Sequence, residues 1–430
     1  MNLLLQSMLQ KGAYAVLSDF ERQAEITALV QQLIVDTVSS LQGEGAARAV
    51  EKHGLETLHL HLPASQIGEL RDQVMIPLRP QLLTFAGTVG RGFLGIENEF
   101  FVDDYTILRI NYPYEEALNA SSTSENPGIG RVDPRTRNQN SSTQRRDPVY
   151  APQEYHRHTP PASWAHGPHK DTWTGHSRDG INLWWAISRV AEENSMIFYP
   201  GSFGISYEAD PRSLYLAEGF PLPAPRKMAL HPGEMLIFNP ELLHATHLNT
   251  TQHTRIALSA RINPRQPRFN PRCFYAREFW HSSLDLEAGK TDTIRQFARE
   301  DNFEADDATP CEQVAKRRNL MTVDAVSSQD GLGCRLDLSC IPQSSERFLV
   351  RTPQGQQVLL LRVQAHWRAV QETCPHLDIS LADGHFDGEH IHCPAHGVSF
   401  HSEDGTSTSK LLTLKTWNTK EEEGWLHLIP

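Results

Sequence analysis

Residues 374–396 read CPHLDISLADGHFDGEHIHCPAH, and the ends of this stretch decide how the C-terminal part of the chain folds. Cys374-Pro-His376 and Cys393-Pro-Ala-His396 form two tight loops, with sixteen residues between them. Each presents one thiolate and one imidazole to the same side. Two thiolates satisfy one iron of a [2Fe–2S] cluster, and two imidazoles on the other raise its reduction potential above that of an all-cysteine cluster. A structural zinc site is the alternative for two cysteines and two histidines. Zinc fingers, however, pair cysteine with cysteine and histidine with histidine, whereas the order here is interleaved.

A β-rich unit surrounds these loops. It begins near Cys334, and the strands expected in it are Phe348–Thr352, Val358–Val363, Trp367–Gln371 and Trp425–Ile429. Over about the last hundred residues the chain resembles the Rieske family. Gly384, Gly397, Phe400 and Gly405 stand where that family keeps its tight turns and core aromatic, while Asp378 replaces a usual glycine and Ala395 a common aromatic. Neither loop has the extra cysteine of a loop-to-loop disulfide, which resembles the ferredoxin and oxygenase branch. The resemblance implies a small β-sandwich with Cys374, His376, Cys393 and His396 as cluster ligands.

The chain has 430 residues, more than one hydrophobic core comfortably serves, so two domains are the expectation. A net charge of −12 argues against a nucleic-acid or anionic-membrane partner. The N-terminus lacks a basic flank before an apolar run, so no signal peptide or membrane span is expected. Six cysteines in so long a chain do not make a secreted disulfide scaffold. Cys273, Cys311, Cys334 and Cys340 are therefore expected as reduced thiols of a cytoplasmic protein.

Upstream, Ile26, Leu29, Val30, Leu33 and Ile34 sit at helical spacing, which predicts helices between Asp19 and Leu83. Strand signals follow at Phe100–Pro113, Ile181–Val190, Ser195–Tyr199, Glu234–Phe238 and Arg255–Ile262, separated by Pro, Gly and Asn turns. Short strands without regular intervening helices suggest a sandwich or barrel. A polar insert at about 115–165 carries Arg131, Arg135, Arg137, Arg145 and Arg146, either an anion-attracting flap or a solvated loop.

Within this region, His169-Lys-Asp171 offers two metal ligands on one face if extended. The strand Met235–Phe238 leads to His244, and eleven residues later Arg255 opens another strand. Two histidines and a carboxylate leave adjacent positions open, which suits Fe(II) oxygen chemistry. On its own H-x-D is a weak signal, since His156, His158, His166 and His176 crowd the same stretch and His247 rivals His244. Alternation puts Arg255, Ala257 and Ser259 on one face. An arginine facing an apolar interior requires an anion, and the distal carboxylate of 2-oxoglutarate would supply one.

Residues of about 15–285 resemble the phytanoyl-CoA dioxygenase family of Fe(II)/2-oxoglutarate oxygenases. The resemblance implies a double-stranded β-helix (jelly roll), with His169, Asp171 and His244 as iron ligands and Arg255, Thr246 and Trp185 against the oxoglutarate. Tyr199-Pro-Gly-Ser-Phe203 is similar to the family's Pro-Gly-Ser-His turn and is read as structural.

The whole is expected to be mostly β with N-terminal helices: an oxygenase domain at 1–290, a connector at 291–330 and a Rieske domain at 331–430. The implied activity is hydroxylation of a small or medium polar metabolite with O2 and 2-oxoglutarate. Cosubstrate and substrate together already supply the four electrons that oxygen reduction needs. A cluster would then serve to re-reduce strayed iron, or would feed electrons directly from NAD(P)H without oxoglutarate. A redox-sensing or docking protein is the remaining alternative. By analogy with Rieske oxygenases, a ferredoxin or reductase donor and a homo-oligomer are expected.

Overall fold

Two elements precede the expected helices. The Asn2 side chain accepts from the Leu4 N–H and caps α1 (Leu3–Lys11), and β1 (Tyr14–Leu17) follows. Helices α2 (Gln23–Gln42), α3 (Glu44–His53) and α4 (Ile67–Thr88) then occupy the stretch with helical apolar spacing. Ile26, Val30, Ile34 and Val38 of α2 and Leu70, Val74, Leu78 and Leu82 of α4 are buried in one core. At about 1.5–3 kcal/mol per fully buried side chain, this stripe accounts for the helices' place on the sheet. The computed structural model describes residues 2–104, 106–119, 165–173, 176–210, 214–268, 279–297, 313–328, 333–341, 344–376 and 379–430.

After the helices come β2 (Phe101–Asp103), β3 (Ile107–Asn111) and α5 (Tyr114–Asn119). Next are β4 (Ile181–Ala186), β5 (Met196–Phe198), β6 (Ile205–Ser206), β7 (Arg226–Met228), β8 (Met235–Phe238), β9 (His244–Thr246) and β10 (Arg255–Asn263). β11 (Phe279–Ser282), α6 (Ser283–Glu287), β12 (Arg295–Gln296) and β13 (Gln313–Val314) follow. The main sheet runs β1-β8-β4-β10-β2-β11-β12, with β3 also on β10. A smaller sheet, β7-β5-β9, completes the jelly roll, and β13 lies parallel to β6. Leu183, Trp185, Ile237, Ile256, Leu258 and Ile262 face the helices. Their alternate neighbours face the interior.

The second unit contains β14 (Thr322–Asp324), β15 (Val326–Ser327), β16 (Cys334–Asp337), β17 (Arg347–Arg351), β18 (Gln357–Val363) and β19 (His366–Gln371). The hairpin β20 (His390–His392) and β21 (Ser399–His401) stands between β19 and the closing pair β22 (Thr416–Glu422) and β23 (Trp425–Ile429). Their sheet order is β14-β17-β18-β19-β22-β23-β16-β15, a β-sandwich of the kind the resemblance implies. Its core includes Phe348, Val350, Leu360, Trp367 and Leu426.

By internal contacts the chain divides into Met1–Leu216 with Arg226–Val314, and Ala217–Pro225 with Ala315–Pro430. Part of the stretch read as a connector thus supplies strands β13, β14 and β15. Arg131, Arg135, Arg137, Arg145, Arg146, His156 and His158 lie outside the described residues, as do Cys273, Cys311 and Asp378. No helix among the described residues is long and apolar enough to cross a membrane.

Candidate metal centres

His169 does not lie on a strand, as its spacing to Asp171 suggested. It forms an isolated bridge with His244, each N–H donating to the other's carbonyl at 2.9 and 3.0 Å. Asp171 opens a short 3-10 turn, anchored by its N–H to the Pro240 carbonyl at 3.0 Å. Turn and bridge together bring one donor atom each from His169, Asp171 and His244 within 4.8 Å of one another. His169 Nε2 stands 3.4 Å and His244 Nε2 3.7 Å from Asp171 Oδ1. His247 is not part of this group.

The other nitrogens fix the tautomers. His169 Nδ1 donates to the Gly167 carbonyl and His244 Nδ1 to the Leu242 carbonyl, both at 2.8 Å. A carbonyl can only accept, so the proton sits on Nδ1 and the Nε2 lone pair is aimed at the shared point. Burial, then the neighbouring His169, lowers the His244 pKa to about 4 and keeps that ring neutral. Burial alone would raise the Asp171 pKa, but Arg261, His244 and His169 hold it well below the usual carboxylate range. Two imidazoles and a carboxylate, converging and oriented from behind, fit a divalent iron.

Asp171 is held by residues the sequence reading missed. Asn182 Nδ2 donates to its Oδ2 at 2.6 Å, and Arg261 Nη2 lies 3.5 Å from the same oxygen. Arg261 Nε in turn donates to Asn182 Oδ1 at 2.9 Å. The two pair across β4 and β10, where Arg261 stands opposite Asn182. Arg261 could have been found by carrying the alternation from Arg255, Ala257 and Ser259 one step further.

Arg255 is buried on this inner face. Its Nη1 donates to the Asn194 carbonyl at 3.1 Å, and its guanidinium lies 5.5 Å over the Trp184 ring. Its Nε has no hydrogen-bond partner among the described residues, and no carboxylate among them pairs with it. Burial, with a smaller contribution from Arg109, lowers its pKa to about 9. Thr246 shares the face of His244 on β9 and is buried.

Trp185 is not brought to this site. It pairs with Leu258 on the helix-facing side and stacks on Phe85 at 4.7 Å between ring centroids. The β4–β10 register turns Trp184 inward instead. Also beside the triad, Arg109 Nε donates to Ser259 Oγ at 2.8 Å, and the His166 ring lies 5.4 Å from that of His169. Tyr215 packs directly over Gly167, where a Cβ would collide with its ring.

In the second unit the four predicted cluster ligands converge. Cys374 Sγ is 2.8 Å and Cys393 Sγ 4.0 Å from His376 Nδ1, and His376 Nε2 is 2.7 Å from His396 Nδ1. Cys374, Cys393 and His396 are buried, while His376 is half-buried. Burial would push the Cys393 thiol up, yet Cys374 and His376 beside it bring it well below the usual thiol range. Two cysteines facing two imidazoles match the donor set of a mixed-ligand iron–sulfur cluster.

The fold and the two sites define a non-haem iron oxygenase joined in one chain to a Rieske protein. A family model described as phytanoyl-CoA dioxygenase (PhyH) matches residues 147–257, and one described as Rieske [2Fe-2S] domain matches residues 341–413. The chain carries both domains, and the Rieske domain implies a [2Fe–2S] cluster. No curated protein matches it. Among solved structures, the Sphingomonas yanoikuyae B1 ferredoxin is 24% identical over 22% of this chain and 93% of its own, with a TM-score of 0.20. The ferredoxin of carbazole 1,9a-dioxygenase from Nocardioides aromaticivorans IC177 is 19% identical over 25% and 99%, with a TM-score of 0.20. The epimerase SnoN, in complex with Fe3+, alpha ketoglutarate and nogalamycin RO, is 13% identical over 70% and 96%, with a TM-score of 0.35.

Proposed function

We propose that the protein is an Fe(II)/2-oxoglutarate-dependent hydroxylase of a small or medium polar metabolite, assisted by its own Rieske cluster. The observation that carries this is Arg255, a buried guanidinium with no carboxylate among the described residues, on the inner face it shares with Arg261. A buried cation in that condition is costly unless a ligand supplies the anion. The distal carboxylate of oxoglutarate fits a planar fork, and the Trp184 ring backs it.

His169, Asp171 and His244 would hold the iron, with Asn182 and Arg261 fixing the carboxylate so that Oδ1 faces it. Thr246 would lie against the oxoglutarate. When bound, Fe(II) supplies oxygen activation with oxoglutarate as co-reductant, and a cluster on Cys374, His376, Cys393 and His396 supplies single electrons. A ferredoxin or reductase of the cytoplasm would serve as donor, and a homo-oligomer remains part of the proposal by analogy alone. The two resemblances give working domain limits of 1–290 and 331–430, with a connector at 291–330.

The test is oxoglutarate turnover against a panel of metabolites. Succinate should form in proportion to product, and Arg255→Ala should raise the KM for oxoglutarate strongly because a charged bidentate contact is lost. Product formation with NAD(P)H and a reductase but no oxoglutarate would replace this mechanism with one fed by the cluster.

A further inference from the structure

The loop that begins at Cys374 is fastened by Arg347 and by residues beyond the reach of the Rieske match. The Ala382 carbonyl accepts from Arg318 Nη1 at 2.7 Å and from Arg347 Nη1 at 2.9 Å, and the Gly384 carbonyl accepts from Arg347 Nη1 at 2.8 Å. Between them, the Asp383 carbonyl accepts from the Leu222 N–H at 3.0 Å, and Asp383 Oδ2 accepts from the Gly219 N–H at 2.8 Å. The Arg318 N–H donates back to the Gly219 carbonyl at 2.6 Å, and the Arg317 guanidinium lies 5.1 Å over the Phe220 ring. Phe220 and Leu222 are buried.

Gly219, Phe220 and Leu222 belong to Ala217–Pro225, which lies between β6 and β7 in sequence and inside the PhyH match, yet is part of the Rieske unit. The loop end they hold is close to the second ligand loop. A Cβ on Gly384 would collide with the carbonyl of His392, the residue before Cys393. Burial, and secondarily Arg318, lowers the Arg347 pKa only to about 10, so the group is charged at neutral pH.

We propose that Ala217–Pro225, with Arg318 and Arg347, is a positioning strap that fixes the first cluster loop and raises the cluster's reduction potential. The proposal rests on the cluster reading above. A guanidinium favours whichever oxidation state carries more negative charge, and one-electron reduction adds one negative charge. Two cations donate onto the loop, and the carboxylates of Asp383 and Glu346 act against them there. In general, a unit charge at ~10 Å and an effective dielectric of ~20 is worth on the order of tenfold in such an equilibrium. For one electron that is ~59 mV.

The test is a redox titration of the full-length protein, followed by the mixed-ligand electron paramagnetic resonance signal. Arg347→Gln should lower the midpoint by up to about tenfold in equilibrium constant. Arg347→Lys, which keeps the charge, should recover most of that shift, and Asp383→Asn should raise the midpoint. Loosening of the loop alone would move the Gln and Asn variants the same way, so opposite signs separate tuning from simple support. Leu222→Pro deletes one N–H donor in a segment already flanked by Pro221 and Pro223. It should speed amide hydrogen exchange in residues 374–384 and broaden the signal. A normal signal with unmoved midpoints, with shifts of one sign, or with unchanged exchange in Leu222→Pro would overturn the strap. Absence of the signal in the unsubstituted protein would refute the cluster reading instead.

Discussion

Asn182→Ala isolates the support of the iron carboxylate from its ligation. Asn182 Nδ2 donates to Asp171 Oδ2 at 2.6 Å, the oxygen turned away from His169 and His244. Hydrogen bonds to charged groups contribute about 1.5–3 kcal/mol. At 1.36 kcal/mol per tenfold, that is roughly 10–150-fold. Loss of an outer partner of a metal ligand costs about 10–100-fold in affinity by a separate line of experience. The two agree, so divalent metal should bind roughly 10–100-fold more weakly in the variant.

The fold should survive, because Arg261 keeps its approach to Asp171 Oδ2 at 3.5 Å and to Asp103 at 3.8 Å. Cobalt(II) titration followed by its visible bands measures the affinity without turnover, and anaerobic iron titration calorimetry repeats it with the natural ion. The cluster signal serves as an internal control. Affinity within about threefold of the parent, in a variant of unchanged circular dichroism, would refute the assignment of Asn182 as the residue that orients Asp171.

Trp185→Ala should cost about 3–5 kcal/mol in urea unfolding without weakening metal binding, whereas Trp184→Ala should act on the oxoglutarate KM. The reverse pattern would mean the strand register is wrong. Burial, then His253, lowers the His59 pKa from 6.5 to about 4, so the unfolded chain takes up this proton first. Its contribution is complete above pH 6.5 and is lost as pH falls through about 4, which thermal unfolding of His59→Gln against pH should flatten. Equal slopes in both proteins would remove His59 from the account. His376→Ala or His396→Ala should abolish the low average g-value of mixed ligation, and stoichiometric zinc without labile sulfide would sink the cluster. In Cys374→Ser, early loss of activity that ascorbate restores would mark a rescue role for the cluster. Inactivity from the first turnover would mark direct electron supply.

The order of cysteines and histidines was legible because loop chemistry is local: thiolate, proline and imidazole lie within three or four residues. The inner face of β10 was legible for a similar reason, since period-2 alternation carries from Arg255 to Arg261 without knowledge of any partner. What alternation cannot supply is the parity of a neighbouring strand. Trp184 and Trp185 are equally good inward residues until the Leu258–Trp185 pairing is known, and that register is a tertiary fact. His169 and Asp171 were matched by an argument from an extended strand, although a bridge and a 3-10 turn bring them together. Their spacing suited both backbones, so a correct pairing did not certify the backbone behind it.

The segment Ala217–Pro225 was illegible for a deeper reason, and it bears on why the two centres share one chain. Its run of Pro221, Pro223 and Pro225 reads as an ordinary turn, and Phe220 and Leu222 reveal nothing of the core they enter. Since Leu216 and Arg226 both belong to the jelly-roll unit, the Rieske unit is made of two separated pieces of sequence. A cut at residue 314 would leave Asp383 without its Gly219 and Leu222 donors, and would strip Phe220 and Leu222 of their burial. Buried apolar groups lose about 25 cal/mol per Å² when returned to water, so both fragments should be less stable than the joined chain. The fusion therefore has a folding reason that stands whether or not electrons pass between the metals. Activity in a mixture of the two fragments would speak to the electron question only after loss of the strap had been accounted for.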